Sequence, residues 1–205
     1  MYTINEMLGV SELDIEVVEN LLKVSNYERL RNNNLSVGTI IRFSMNDGYE
    51  VDAMVVLSDH RSATFIHMEC LPDKMIMGNV LCESYAYSRV REYLNNLLYN
   101  QYPDYIRERM IPFSYDYIEG DYLCIPCAEE IFGESPDGEL FESTRFNPME
   151  KCRNIIGYIG QEFSDYWLDN TDGNSFFYVD KDGFIKDSCP DIERGIRPMF
   201  QLNLL

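Results

Sequence analysis

Between Ser84 and Tyr102 the apolar positions Val90, Tyr93, Leu94, Leu97 and Leu98 recur at spacings of three and four, which predicts one long central helix ended by Pro103. A similar periodicity puts Ile15, Val18, Leu21 and Leu22 on one face of a helix that follows Ser11-Glu12-Leu13-Asp14, a Ser cap with an acidic residue three positions on. Glu12, Asp14, Glu16 and Glu19 suit the positive end of its dipole. Asn32-Asn33-Asn34 interrupts that pattern and sets a boundary near residue 35. Beyond it, Val37 to Phe43, with its β-branched Thr39-Ile40-Ile41, predicts a strand. Val51 to Leu57 and Ala63 to Met68 predict a strand pair around Ser58-Asp59-His60-Arg61, and Asp47-Gly48 marks a further turn.

Downstream of the central helix, Tyr122 to Ile125 reads as a short strand that leads through Pro126 into a short helix at Ala128 to Phe132, closed by Gly133. The next twenty residues read as surface loop, with turn signatures at Ser135-Pro136-Asp137-Gly138 and Phe146-Asn147-Pro148. Asp165 to Leu168, Ser175 to Val179 and Met199 to Leu204 read as late strands, with Asp182-Gly183 turning a hairpin. No internal repeat and no low-complexity tract interrupts this order. The expected fold is α+β: an N-terminal helical extension over 1–34, then a mixed domain over 35–205 with small antiparallel sheets and the long central helix.

Composition narrows the classes. The chain has 205 residues, 45% hydrophobic and 13% aromatic, enough for one real core and too apolar for global disorder. Its 35 acidic against 17 basic side chains give a formal charge of −18, a surface that repels a polyanion, so direct nucleic-acid binding is excluded. The first residues lack a basic and apolar leader and no run reaches membrane-spanning length, so a cytoplasmic protein is expected. Six scattered cysteines fit reduced thiols better than a disulfide framework.

Four short motifs occur in order: Val90-Arg91-Glu92-Tyr93-Leu94-Asn95, the strand-to-helix unit Leu123 to Gly133, Tyr166-Trp167-Leu168, and Gly195-Ile196-Arg197-Pro198. In that order and spacing the chain, over roughly residues 36 to 205, resembles an uncharacterised family of bacterial and phage domains similar to C-type-lectin-like folds of the formylglycine-generating-enzyme kind. The resemblance implies a lectin-like architecture rather than an activity, since many members of this superfold only bind. That family commonly carries a basic residue directly after Tyr-Trp-Leu, where this chain has Asp169.

Candidate chemistry is sparse. Cys124-Ile125-Pro126-Cys127 stands where a thioredoxin-like protein would lower a thiol pKa, but it lies past the middle of the chain rather than early in an alternating β/α order, so buried inert thiols are expected. Cys152 and Cys189 are isolated, and no second cysteine pair completes a zinc spacing. His60 and His67 neighbour no nucleophile setting, and neither a P-loop nor a dinucleotide fingerprint occurs. Asp169, Asp172, Asn174, Asp180 and Asp182 cluster in sequence, yet carry only part of a calcium-loop pattern. No catalytic residue, metal site or cofactor is therefore expected.

Charge distribution is more telling. From Met110 to Thr144 there is no Lys or Arg, but nine acids. Nine of the fifteen tyrosines fall between Tyr85 and Tyr122, a residue type favoured at interfaces. The expected function is non-catalytic binding of a basic protein through a surface formed by Tyr115, Asp116, Tyr117, Glu119, Asp121, Glu134, Asp137, Glu139 and Glu142. A sharper version is a phage-type inhibitor that mimics nucleic acid and fills the basic groove of a nuclease or defence effector. The alternative is glycan or small-ligand recognition by the lectin-like domain through Trp167, Asp169 and Asp172.

Overall fold

The β-branched and aromatic runs after residue 35 build the largest sheet of the protein. A computed structural model describes residues 35–115, 118–132 and 155–204; the helix expected over the first 34 residues and the loop expected after Gly133 lie outside the described residues. Strands β1 (Ile40–Ser44), β2 (Glu50–Ser58) and β3 (Ser62–His67) form an antiparallel meander. Its turns follow the sequence signals. Gly48 takes φ +89°, which an L side chain rarely adopts, and Asp59 Oδ1 accepts hydrogen bonds from the Arg61 and Ser62 amides at 2.6 and 2.8 Å.

The remaining strands are β4 (Met110–Ile111), β5 (Ser114–Tyr115), β6 (Ile118–Glu119), β7 (Leu123–Cys124), β8 (Gly157–Ile159), β9 (Glu162–Ser164), β10 (Tyr166–Thr171), β11 (Phe176–Val179), β12 (Ile185–Ser188) and β13 (Met199–Asn203). The last strand returns to the first sheet, whose order is β1-β2-β3-β13-β4 with β7 also paired to β13. A second sheet has the order β10-β11-β12, and β5-β6 and β8-β9 are separate hairpins. The helices are α1 (Arg89–Asn96), α2 (Asp104–Arg107) and α3 (Ala128–Phe132). The described fold is thus mixed and mostly antiparallel β, and none of its helices is long and apolar enough to cross a membrane.

The expected long central helix is not continuous. A 3-10 turn at Tyr85–Tyr87 precedes α1, a second at Leu98–Gln101 follows it, and α2 begins after Pro103. Ser88 makes the first break, because its extended backbone and its Oγ, which accepts from the Arg91 amide at 3.0 Å, start α1 there. Leu97 marks the second: at φ −113°, ψ −58° it stays in the right-handed region but away from the α-helical φ, and the chain tightens there into the 3-10 turn. The three-residue spacing of apolar positions survives both breaks because 3-10 turns keep it.

The core gathers Phe43, Phe65, Phe200 and Tyr102 around the inner face of the first sheet, with Phe65 and Phe200 stacked at 5.0 Å. Hydrogen bonds from the motifs that carry the family resemblance, or from the residue directly after Tyr166-Trp167-Leu168, join them in sequence order. Asn95 of α1 donates to the Leu123 carbonyl, the Asp169 amide donates to the Pro126 carbonyl, and the Trp167 amide donates to the Gly195 carbonyl. Gly195 admits no Cβ, which would sit 2.8 Å from the Asp165 carbonyl oxygen. Arg197 is wholly buried, its Nε donating to the His67 carbonyl at 2.8 Å.

Candidate functional site

Arg91 stands on the first turn of α1 and reaches across to Asp121, two residues before β7. Its Nε and Nη2 hold Asp121 Oδ2 and Oδ1 at 2.5 and 3.0 Å, and its Nη1 donates to the Ala86 carbonyl at 2.7 Å. The hydrogen bond to Asp121, followed in size by the opposing effect of burial, raises the guanidinium above its ordinary pKa. One turn on, Asn95 Oδ1 accepts from the Tyr122 and Leu123 amides at 2.9 and 3.1 Å. These two side chains therefore fix the strand-entry segment against the helix.

A groove of about 300 Å³ runs over this junction, lined in part by Tyr87, Ser88, Arg91, Glu92, Asn95 and Asp121. Tyr87 is 87% exposed and Leu97, at the end of α1, is 61% exposed. The β5-β6 hairpin, where Ser114 pairs with Glu119 and Tyr115 with Ile118, ends two residues before Asp121 of the groove. Tyr87 was missed by sequence reasoning, and its only signal was membership of the tyrosine-rich interval.

The expected acidic surface is only partly within view. Asp116, Tyr117, Glu134, Asp137, Glu139 and Glu142 lie outside the described residues, as do the side chains of Tyr115 and Glu119. Asp121 needs correction: it is 7% exposed and bound to Arg91, so it belongs to the internal framework rather than to an open acidic face. Five ion pairs among the described residues take up Arg42, Arg91, Arg107, Lys186 and Arg194. Each pair removes one acid and one base, so what is left over is more lopsided than the composition.

Among the described residues, Trp167, Asp169 and Asp172 do not line the groove at Tyr87. Trp167 is wholly buried, its Nε1 donating to the Met75 carbonyl at 2.9 Å, and it offers no open ring face to a sugar. Asp169 is 8% exposed beside α3. Asp172 is exposed, and the Asn174 and Ser175 amides that it accepts from hold its carboxyl below the usual range. Asp180 pairs with Lys186 instead of joining them, and among the described residues no three His, Cys, Asp or Glu come together to hold a metal ion.

Cys124 is buried and Cys127 half-buried, both as free thiols. Burial first, then the carboxylates of Glu130, Asp169 and Glu129, push the Cys127 thiol far up, the reverse of what an activated thiolate needs. Glu130 instead caps α3, accepting from the Cys127 amide at 3.0 Å. His60 is exposed, whereas His67 is packed among aromatic rings, and burial followed by the charge of Arg197 lowers its pKa to about 3. It exchanges no proton near neutrality. A scan against protein-family models, a search of curated proteins and a search of solved structures find no match to this chain.

Proposed function

We propose that this chain is a non-catalytic binding module that presents an acidic, tyrosine-bearing surface to a basic protein. In its finer form it is an inhibitor whose carboxylates stand in for phosphates in the nucleic-acid groove of a nuclease or similar effector. The observation that carries the reading is the 35-residue window from Met110 to Thr144, with nine acids and no cation, one of whose residues, Asp121, lines the same groove as the 87% exposed Tyr87. An exposed aromatic beside a strong field of one sign is the pairing that supplies both anchor and steering at protein interfaces.

We also propose a lectin-like architecture for residues 35–205, supported by the hydrogen-bonded chain that links the four motifs of the resemblance. The free thiols among the described residues support a reducing, cytoplasmic setting.

The test is retention of a partner by the full chain from a lysate of its source organism, at low salt and at about 0.5 M salt, where screening acts within a few Å. Reversing Asp116, Glu119, Glu134 and Asp137 to Lys, with Asp121 left intact because its loss would break the Arg91 pair, is expected to abolish retention of one basic, salt-released protein. Retention that survives the reversal, or that an unrelated protein of equal acidity reproduces, would remove the reading.

A further inference from the structure

The segments that lead to α1 and to β13 run antiparallel: Met75 and Arg194 exchange amide-to-carbonyl hydrogen bonds of 2.9 and 3.1 Å, and the Gly78 amide donates to the Pro190 carbonyl at 3.1 Å. Each segment turns beside that last bond. The Cys82 amide closes one turn on the Asn79 carbonyl at 2.9 Å, and the Ile192 amide closes the other on the Cys189 carbonyl at 3.3 Å. Asn79 Oδ1 also accepts from the Leu81 amide at 2.9 Å, and a Cβ added at Gly78 would sit 2.7 Å from Cys82 Cβ, so the first turn is tightly closed at its base. Its tip is nonetheless apolar: Val80 is 66% and Leu81 79% exposed, and Ile192 on the adjoining turn is 46% exposed.

The central positions of a turn ordinarily go to Gly, Pro, Asn, Asp or Ser. Single apolar side chains are common on a surface, but three on two adjoining turns form a patch of the kind that a partner covers. Charge selects the partner. The stretches 78–83 and 189–193 contain three acids, Glu83, Asp191 and Glu193, and no base. All three are exposed, and none enters an ion pair among the described residues. Arg194 is taken up by Asp165 and the Tyr178 ring, and Arg89, whose amide donates to the Met77 carbonyl at 2.7 Å, offsets at most one of the three. A second copy of the chain would set these carboxylates against their like, and an anionic lipid surface would be repelled in the same way. An apolar centre with an acidic rim is the complement of a segment whose apolar side chains are flanked by Lys or Arg.

We propose that these two turns dock an amphipathic cationic segment of a partner protein, its apolar side chains on Val80, Leu81 and Ile192 and its cations on Glu83, Asp191 and Glu193. That partner is the basic protein of the reading above, on which the docking surface therefore rests, and the turns add an apolar anchor outside the acidic window. Because the first turn is already closed, little order is lost when it docks.

The probe is a peptide of Leu and Lys in amphipathic helical order, titrated into the full chain at about 0.15 M salt and followed by backbone amide NMR shifts. Saturable shifts at residues 79–83 and 190–193 are expected, and a peptide of equal charge with Ser for Leu is expected to lose them. Val80→Ser/Leu81→Ser, which removes exposed side chains, is expected to weaken binding about tenfold with Tm unchanged. Leu81→Ser alone serves if the double variant does not fold. Shifts that spread without saturating, that the Ser peptide reproduces, or that survive Val80→Ser/Leu81→Ser would overturn the proposal. Concentration-dependent dimers that Val80→Ser/Leu81→Ser abolishes would assign the turns to a second copy and overturn it as well. In the lysate retention of the full chain, loss on reversal of Asp116, Glu119, Glu134 and Asp137 but not in Val80→Ser/Leu81→Ser would sink this surface and leave the reading standing, whereas retention untouched by either change would remove both.

Discussion

His67 is a titratable group locked into a neutral state. The rings of Tyr102, Phe200 and Phe43 lie 5.8 to 6.5 Å from its own, the Tyr102 hydroxyl holds Nε2, and Arg197 takes its carbonyl oxygen. Burial, reinforced by the Arg197 charge, brings its pKa from 6.5 to about 3. The folded chain therefore binds this proton less readily than the unfolded chain does. Stability from this residue is intact above about pH 6.5 and is lost as pH falls from there toward 3, by at most about 1.4 kcal/mol per pH unit. Denaturant midpoints measured between about pH 7.5 and 5 should fall more steeply in the natural chain than in His67→Gln, which keeps polarity but cannot titrate. Parallel slopes would show that His67 does not carry this dependence.

At the scale of elements, α1 is an eight-residue helix, too short to persist unaided, so its place depends on tethers. Asn95 is one of these beside the Arg91–Asp121 pair, with Oδ1 accepting from two backbone amides and Nδ2 donating to the Leu123 carbonyl at 2.9 Å. Asn95→Ala would leave partly buried donors without an acceptor, at a cost of about 2–3 kcal/mol in chemical denaturation. Asn95→Asp, which keeps the acceptor but loses the donor, should fall between the two. A loss within error for both variants would mean that packing of Val90 and Leu94 alone holds α1.

That tether also marks the limit of what the sequence makes legible. The meander β1 to β3, the hairpin at Asp182-Gly183, the short helix α3 and the final strand announce themselves through β-branched runs and turn residues, and each forms within a few residues of the expected span. The hairpins β5-β6 and β8-β9 do not, because two or three residues are too few for an alternation to show. The continuous helix was a misreading for a related reason: periodicity reports spacing, whereas Ser88 and Leu97 break the helix through backbone geometry that spacing does not register. At the candidate sites, Asp121 reads as one acid among nine in its window, since its pairing with Arg91 joins positions 30 residues apart.

At the scale of the whole molecule, a formal charge of −18 opposes compaction, while a few ion pairs oppose unfolding, and salt acts on both. Arg42–Asp52 and Lys186–Asp180 each include a cation more than half exposed, so each contributes little and is readily screened by salt. Arg91–Asp121 and Arg194–Asp165 are better sheltered and lose less to salt. The repulsion, in contrast, sums over every pair of excess charges on one small surface and is screened almost entirely once the Debye length falls to about 8 Å at physiological ionic strength. Repulsion therefore wins, and Tm should rise by several degrees between about 10 mM and 0.3 M sodium chloride. A fall over that range would mean that the local pairs outweigh the global field. A bound basic protein would supply the same relief that salt does, so the complex should melt with a weaker or reversed salt dependence, because salt then also loosens the contacts that neutralise the surface.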